Sequence, residues 1–219
     1  MASEVDICNL ALGHIRAGTI NSLDEQSVQA RQCKTLYPLL RDQMLQDSPW
    51  QFAGSIKPLV LLVQDTFNWA YTYQYPSDCL RVNRVMPNYE AINADNRTSG
   101  LYYTHRAGGI VGPLPDALIE YKVILASNNR TIGCNYSDVY IDYRARVENP
   151  SLFSLNFIMA LSHLMAAELA VPIAGVEAGR GLRSDSMSMY KGYLSAGIAN
   201  ELNEQKKEIA DSEYITIRN

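Results

Sequence analysis

Histidine and cysteine are scarce in this chain, and neither is clustered. The four cysteines, Cys8, Cys33, Cys79 and Cys134, stand far apart with no C-x-x-C pair, so the spacing points to neither a zinc site nor a disulfide framework. Free thiols in a reducing compartment are the simplest reading. A basic excess is also missing: 19 Lys and Arg against 23 Asp and Glu leave a net charge of -4. That balance argues against a surface built to grip DNA, while leaving room for a protein that DNA merely passes. The N-terminal MASEVDICNLAL carries acid where a signal peptide has basic residues and a long apolar core, so synthesis and assembly in the cytoplasm are expected. The sequons at Asn96, Asn129 and Asn135 then carry little weight.

Catalytic constellations are equally sparse. Ser188-Met-Tyr-Lys191 has the S-x-x-K spacing of serine acyl enzymes, but the S-D-N and K-T-G elements are absent and the motif falls within a helix. Gly175, Gly179 and Gly181 lack the G-K-[ST] that follows a phosphate loop and read as a corner between two helices. His163, on an apolar helix, reads as a hydrogen-bonded core residue. Asp116, Glu120, Asp138 and Asp142 are carboxylates for a glycan-cleaving or glycan-binding alternative, with their pairing unconstrained by the sequence. The expectation is a protein that is not an enzyme and uses no cofactor or metal.

What the chain does have is helix at both ends. Ser3 with Asp6 forms a capping box that opens a helix through Ile7, Leu10, Ala11 and Ile15 to Gly18, and Ser22 with Glu25 opens a second to about Asp47, kinked at Pro38. Residues 149 to 174 are almost wholly apolar, with Ser151 as N-cap and Pro172 as the stop. Leu152, Leu155, Ile158, Leu161, Leu164 and Leu169 cover more than one face of that helix, which therefore needs cover on several sides. Asn156, His163 and Glu168 argue against a membrane span. A final helix from Glu177 to Ala210, about 50 Å long, carries the narrow stripe Met187, Tyr190, Leu194, Ile198, Leu202 and Ile209 and ends strongly polar. Tyr214 to Arg218 alternate in the manner of a strand.

Between the helices the texture changes. Tyr, Val, Ile and Thr alternate with Gly, Pro, Asn and Asp from Trp50 to about Arg146, which predicts strands at 69–74, 80–86, 101–105, 117–124 and 138–143. Residues 87–100 and 107–115 read as loops. Ten of the fourteen tyrosines fall between Tyr71 and Tyr143. Tyr71, Tyr73 and Tyr75 on one alternating face, Tyr102, Tyr103 and Arg106 are the residue types that protein interfaces enrich. The fold expected is α+β, a helical bundle of two N-terminal and two long C-terminal helices with an inserted antiparallel β-sheet region. Its boundaries are residues 1–49, 50–147, 148–210 and a tail at 211–219.

The order of the pieces carries a resemblance. ICNLALGHI at 7–15, INSLDEQSVQARQCKTLYPLLRDQML at 20–45, PWQFA at 49–53, YQYPSDCLRVNRV at 73–85 and NPSLFSLNFIMALSHLMAAELAVPI at 149–173 together resemble the tail tubular protein A family, the head-to-tail adaptors of short-tailed bacteriophages. That resemblance implies a structural virion protein at the head-tail junction. It implies a ring of about twelve copies between the portal protein and the tail nozzle (tail tubular protein B), through which double-stranded DNA passes without sequence-specific binding. It further implies that Tyr214, Ile215, Thr216, Ile217, Arg218 and Asn219 engage the portal. Glu201, Glu204 and Glu208, on one helical face, are the candidates for the channel wall.

Overall fold

The computed structural model describes residues 2–66, 68–87, 119–126 and 128–204. The chain divides into two compact units, one of Met1–Met44, Ser48–Gln51 and Asn149–Asn219, the other of Leu45–Asp47 and Phe52–Glu148. Helices dominate the first and antiparallel sheets the second, so the fold is α+β.

In the helical unit α1 spans Glu4–His14. Its capping box is formed as the sequence predicts: Ser3 Oγ accepts from the Asp6 N–H at 3.1 Å and the Asp6 carboxylate accepts from the Ser3 N–H at 2.8 Å. Those bonds hold the Asp6 carboxyl below its ordinary range. Arg16 and Gly18, both at positive φ, turn the chain after the helix. Asn9 then pins the loop by pairing with both backbone groups of Ile20, at 2.8 and 2.9 Å.

Helix α2 spans Val28–Asp47 and is capped by Ser27, whose hydroxyl accepts from the Ala30 N–H at 3.1 Å. This corrects the start expected at Ser22. Ser22 and Glu25 instead close a local turn, Glu25 accepting from the Asn21 N–H and Ser22 from the Asp24 N–H; such short-range bonds satisfy the backbone without a helix. The helix runs through Pro38 as one element.

The apolar segment begins with a 3-10 turn, Pro150–Leu152, and becomes helix α3 at Leu155–Ala174, capped by Ser154 and not by Ser151. Pro172 lies inside its last turn, and Gly175, at φ +81, makes the stop. In length and composition α3 could cross a membrane, but Phe157, Leu161, Met165, Leu169 and most of their neighbours are buried inside the helical unit. Helix α4, Val176–Glu204, follows at once and lies against α3. Gly179 permits this: a Cβ there would stand 2.7 Å from the Ala170 carbonyl oxygen. The stretch expected to extend the helix to Ala210 lies beyond the described residues.

The second unit holds two antiparallel sheets. Strands β1 (Gly54–Pro58), β7 (Val139–Ala145) and β4 (Cys79–Pro87) form the order β1-β7-β4. Strands β2 (Leu61–Thr66), β3 (Trp69–Gln74), β6 (Asn129–Cys134) and β5 (Tyr121–Ala126) form the order β2-β3-β6-β5. Tyr73, Val85, Ile132, Val139, Ile141 and Tyr143 are among the buried side chains of their core. Three strands predicted from the sequence appear with shifted ends, as β4, β5 and β7, and β3 appears as predicted. Strands β1, β2 and β6 were not predicted. The strand expected at 101–105 and the loop at 107–115 lie outside the described residues, as does nearly all of the loop at 87–100.

Candidate functional site

The residues singled out from sequence separate into three groups. Tyr214, Ile215, Thr216, Ile217, Arg218 and Asn219 lie outside the described residues, as do Glu208, Tyr102, Tyr103, Arg106, Asp116 and the side chain of Glu204. The second group lies in the sheet unit, where the tyrosines expected at an interface are buried to different extents. Tyr73 is 2% exposed and donates its hydroxyl to the Tyr136 carbonyl at 2.8 Å, so it is core. Tyr71 and Tyr75 are half-buried against the same core. Burial pushes the Tyr75 phenol up to about 12, and the Arg130 guanidinium lies 5.7 Å from its ring. Among the carboxylates, Asp142 is occupied: Arg84 Nε donates to it at 3.1 Å and Asn83 Nδ2 at 3.0 Å. Glu120 and Asp138 are exposed.

Glu201 makes up the third group and is a correction to the channel wall. It is 7% exposed, and its carboxylate accepts the backbone N–H of Gln51 at 2.6 Å. Gln51 Nε2 returns a bond to the Glu201 carbonyl at 3.3 Å. A carboxylate that satisfies an otherwise orphaned N–H is structural and presents no charge to a lumen.

His163 also differs from its expectation. It is buried, but neither ring nitrogen has a hydrogen-bond partner among the described residues. Its ring is instead the middle of a stack, with His14 of α1 at 3.8 Å and Tyr193 of α4 at 5.4 Å, each 12° from parallel. Ser162 donates to the Met159 carbonyl at 2.9 Å, so the 3.2 Å contact between Ser162 and His14 assigns the proton to His14 Nε2. Burial holds both imidazoles below the ordinary histidine value of 6.5, and His14 lowers His163 further.

In the unfolded chain both rings bind protons as the pH falls through about 6.5, whereas in the fold they remain neutral to lower pH. Stability is therefore full above that value and lost progressively as the pH falls toward the folded values. Urea unfolding at about pH 7.5 and pH 5.5 should show the lower midpoint in acid, with the difference reduced in His163→Phe. An unchanged difference in that variant would remove the stack as its source.

A feature not foreseen from sequence is a groove of about 670 Å³ along the outer side of α4. Val171 and Val176 line it at one end, Arg180, Arg183 and Met187 along its length, and Lys191 beyond. Ser188 and Lys191 of the S-x-x-K spacing are both lining residues, on successive turns of an exposed helix face. The basic spacing along α4 was the available signal, overshadowed by the polar end of the same helix. All four cysteines are free and buried, and no group of three or more metal-ligating side chains occurs among the described residues.

Set against known proteins, the chain matches no protein-family model and no curated sequence.

Proposed function

We propose that this chain is a head-to-tail adaptor of a short-tailed bacteriophage virion. The observation that carries the reading is the ordered resemblance of five segments, spread over nearly the whole chain, to the tail tubular protein A family. The structure adds support of a general kind. A helical unit assembled from both chain ends and a sheet unit built from the middle provide two bodies on one subunit, suited to two sets of partners. Helix α4, 29 residues and so about 44 Å long, leaves Arg180, Arg183, Ser188 and Lys191 exposed.

In this reading the four helices form a bundle within a ring of about twelve copies, stacked between portal and tail nozzle in the virion and assembled in the host bacterial cytoplasm. The action is mechanical and needs no reaction at a residue. The ring converts the portal rim into a seat for the nozzle and continues the conduit for ejected double-stranded DNA. The net charge of -4 per chain, multiplied around a ring, repels phosphate and lets DNA slide. With Glu201 engaged by Gln51, that repulsion comes from other acidic positions. The tail from Tyr214 to Asn219 engages the portal.

Electron microscopy and mass analysis of the protein mixed with its portal ring test the reading. The expected result is a ring of about a dozen subunits on the portal, and deletion of residues 211–219 should abolish attachment while circular dichroism stays unchanged. A portal that remains bare under assembly conditions would overturn the reading. Attachment by the truncated chain would remove only the role of the tail.

A further inference from the structure

The helical unit brings together two thiols that the sequence keeps apart. Cys8 of α1 and Cys33 of α2 are both fully buried, and the Cys8 S–H donates to the Cys33 sulfur. That bond holds the Cys33 thiol below its ordinary value and pushes the Cys8 thiol up. Cys33 is thereby the better nucleophile, and Cys8 is the thiol placed to close on it. The other two cysteines are engaged elsewhere: Cys134 Sγ donates to the Tyr136 carbonyl at 3.4 Å, and Cys79 accepts from the Tyr75 hydroxyl. Tyr37 completes the cluster. It lies one turn after Cys33 on α2, near enough to Cys8 for their charges to interact. It is 2% exposed, and its hydroxyl has no hydrogen-bond partner among the described residues. Burial pushes this phenol up, so it stays a donor. A buried donor without an acceptor is costly, and an oxygen carried on the neighbouring sulfur would supply one.

We propose that Cys8 and Cys33 form a redox-sensitive pair that hydrogen peroxide converts into a disulfide between α1 and α2. The Cys33 thiolate attacks one peroxide oxygen, the O–O bond breaks, and the departing hydroxide takes up the proton that Cys33 released and leaves as water. The Cys8 sulfur then attacks the sulfenic sulfur on Cys33. The S–S bond forms, the S–O bond breaks, and the Cys8 proton leaves in the second water. Each sulfur gives up one electron and each peroxide oxygen gains one. The Tyr37 hydroxyl donates to the oxygen held on Cys33 during the exchange. Peroxide is small and uncharged and enters by local openings of the fold, so burial slows the reaction without preventing it. The bond staples two helices and restricts the unfolded chain, which favours the folded helical unit. The chemistry requires neither ring nor portal, so the isolated full chain tests it.

The reduced chain is treated with hydrogen peroxide, its remaining thiols are alkylated, and unreduced proteolytic fragments are read by mass spectrometry. A single link is expected, Cys8 to Cys33, with Cys79 and Cys134 alkylated and the link reversed by dithiothreitol. In urea the same oxidant should spread links over other cysteine pairs. The oxidised chain should unfold at a higher urea midpoint than the reduced one, and that rise should vanish in Cys8→Ala and in Cys33→Ala. The mass readout on the unaltered chain decides the matter should either variant fail to fold. Tyr37→Phe should form the same link several-fold more slowly. Cys8 and Cys33 both alkylated after oxidation, both oxidised separately to sulfinic acids, or linked no more selectively in the native chain than in urea, would each overturn the proposal. A link that leaves the midpoint unchanged would overturn the staple, and an unchanged rate in Tyr37→Phe would overturn the part given to its hydroxyl.

Discussion

Trp50→Ala is expected to destabilise the helical unit by about 3–5 kcal/mol, the range for removing a fully buried aromatic side chain. Trp50 has no exposed surface. Its indole N–H donates to the Met44 carbonyl at 3.0 Å, in the last turn of α2. Its ring meets Phe157 of α3 edge-on at 5.1 Å and 89°, a favoured aromatic arrangement. On another side it lies against Gly197 of α4, where a Cβ would come within 2.7 Å of the ring. One side chain therefore touches three helices of the unit, and alanine leaves a cavity that none can fill without moving. Against a typical total of about 5–15 kcal/mol, such a loss is a large share. Trp50→Phe retains most of the volume and forfeits the donor, so it should lose less. Urea titration followed by circular dichroism in the helical band measures both, and a loss below about 1 kcal/mol for Trp50→Ala would contradict this packing.

The parts of the fold that were legible in the sequence are those where neighbours in sequence decide the outcome. Ser3 and Asp6 are three apart and cap α1 as predicted, because both partners lie in one turn. Strand β3 was legible because its alternation spans the whole element. Strand β6 was not: Gly133 interrupts it, and the reason for a glycine there is the Trp69 ring, 2.6 Å from where a Cβ would stand. Helix α3 overran its predicted stop because a proline in the last turn removes one hydrogen bond without ending the helix, while the positive φ that does end it falls to Gly175. The site residues failed for a related cause. Glu201 looks like one more solvated acid on a polar helix end until Gln51, 150 positions away, claims its carboxylate. Alternation put Tyr71, Tyr73 and Tyr75 on one face and could not say that this face is turned to the core. The two histidines that stack belong to helices at opposite ends of the chain, beyond the reach of any local pattern.

Gly179→Ala should reverse the usual sign of a helix substitution. In an ordinary helix interior alanine is favoured over glycine by about 1 kcal/mol. At Gly181 and Gly192, where an added Cβ meets nothing within 4 Å, that gain is expected. At Gly179 the same methyl would stand 2.7 Å from the Ala170 carbonyl oxygen and 2.8 Å from the Val171 Cα. Both are backbone atoms, so no rotamer change relieves the clash and α3 and α4 must separate. The expected cost is about 1–3 kcal/mol, the range for overpacking, with larger losses for valine or leucine. Thermal and urea unfolding of the three alanine variants provide the comparison within one helix. Stabilisation by Gly179→Ala to the extent seen at Gly181 or Gly192 would mean that the helices do not approach as closely as the structure places them.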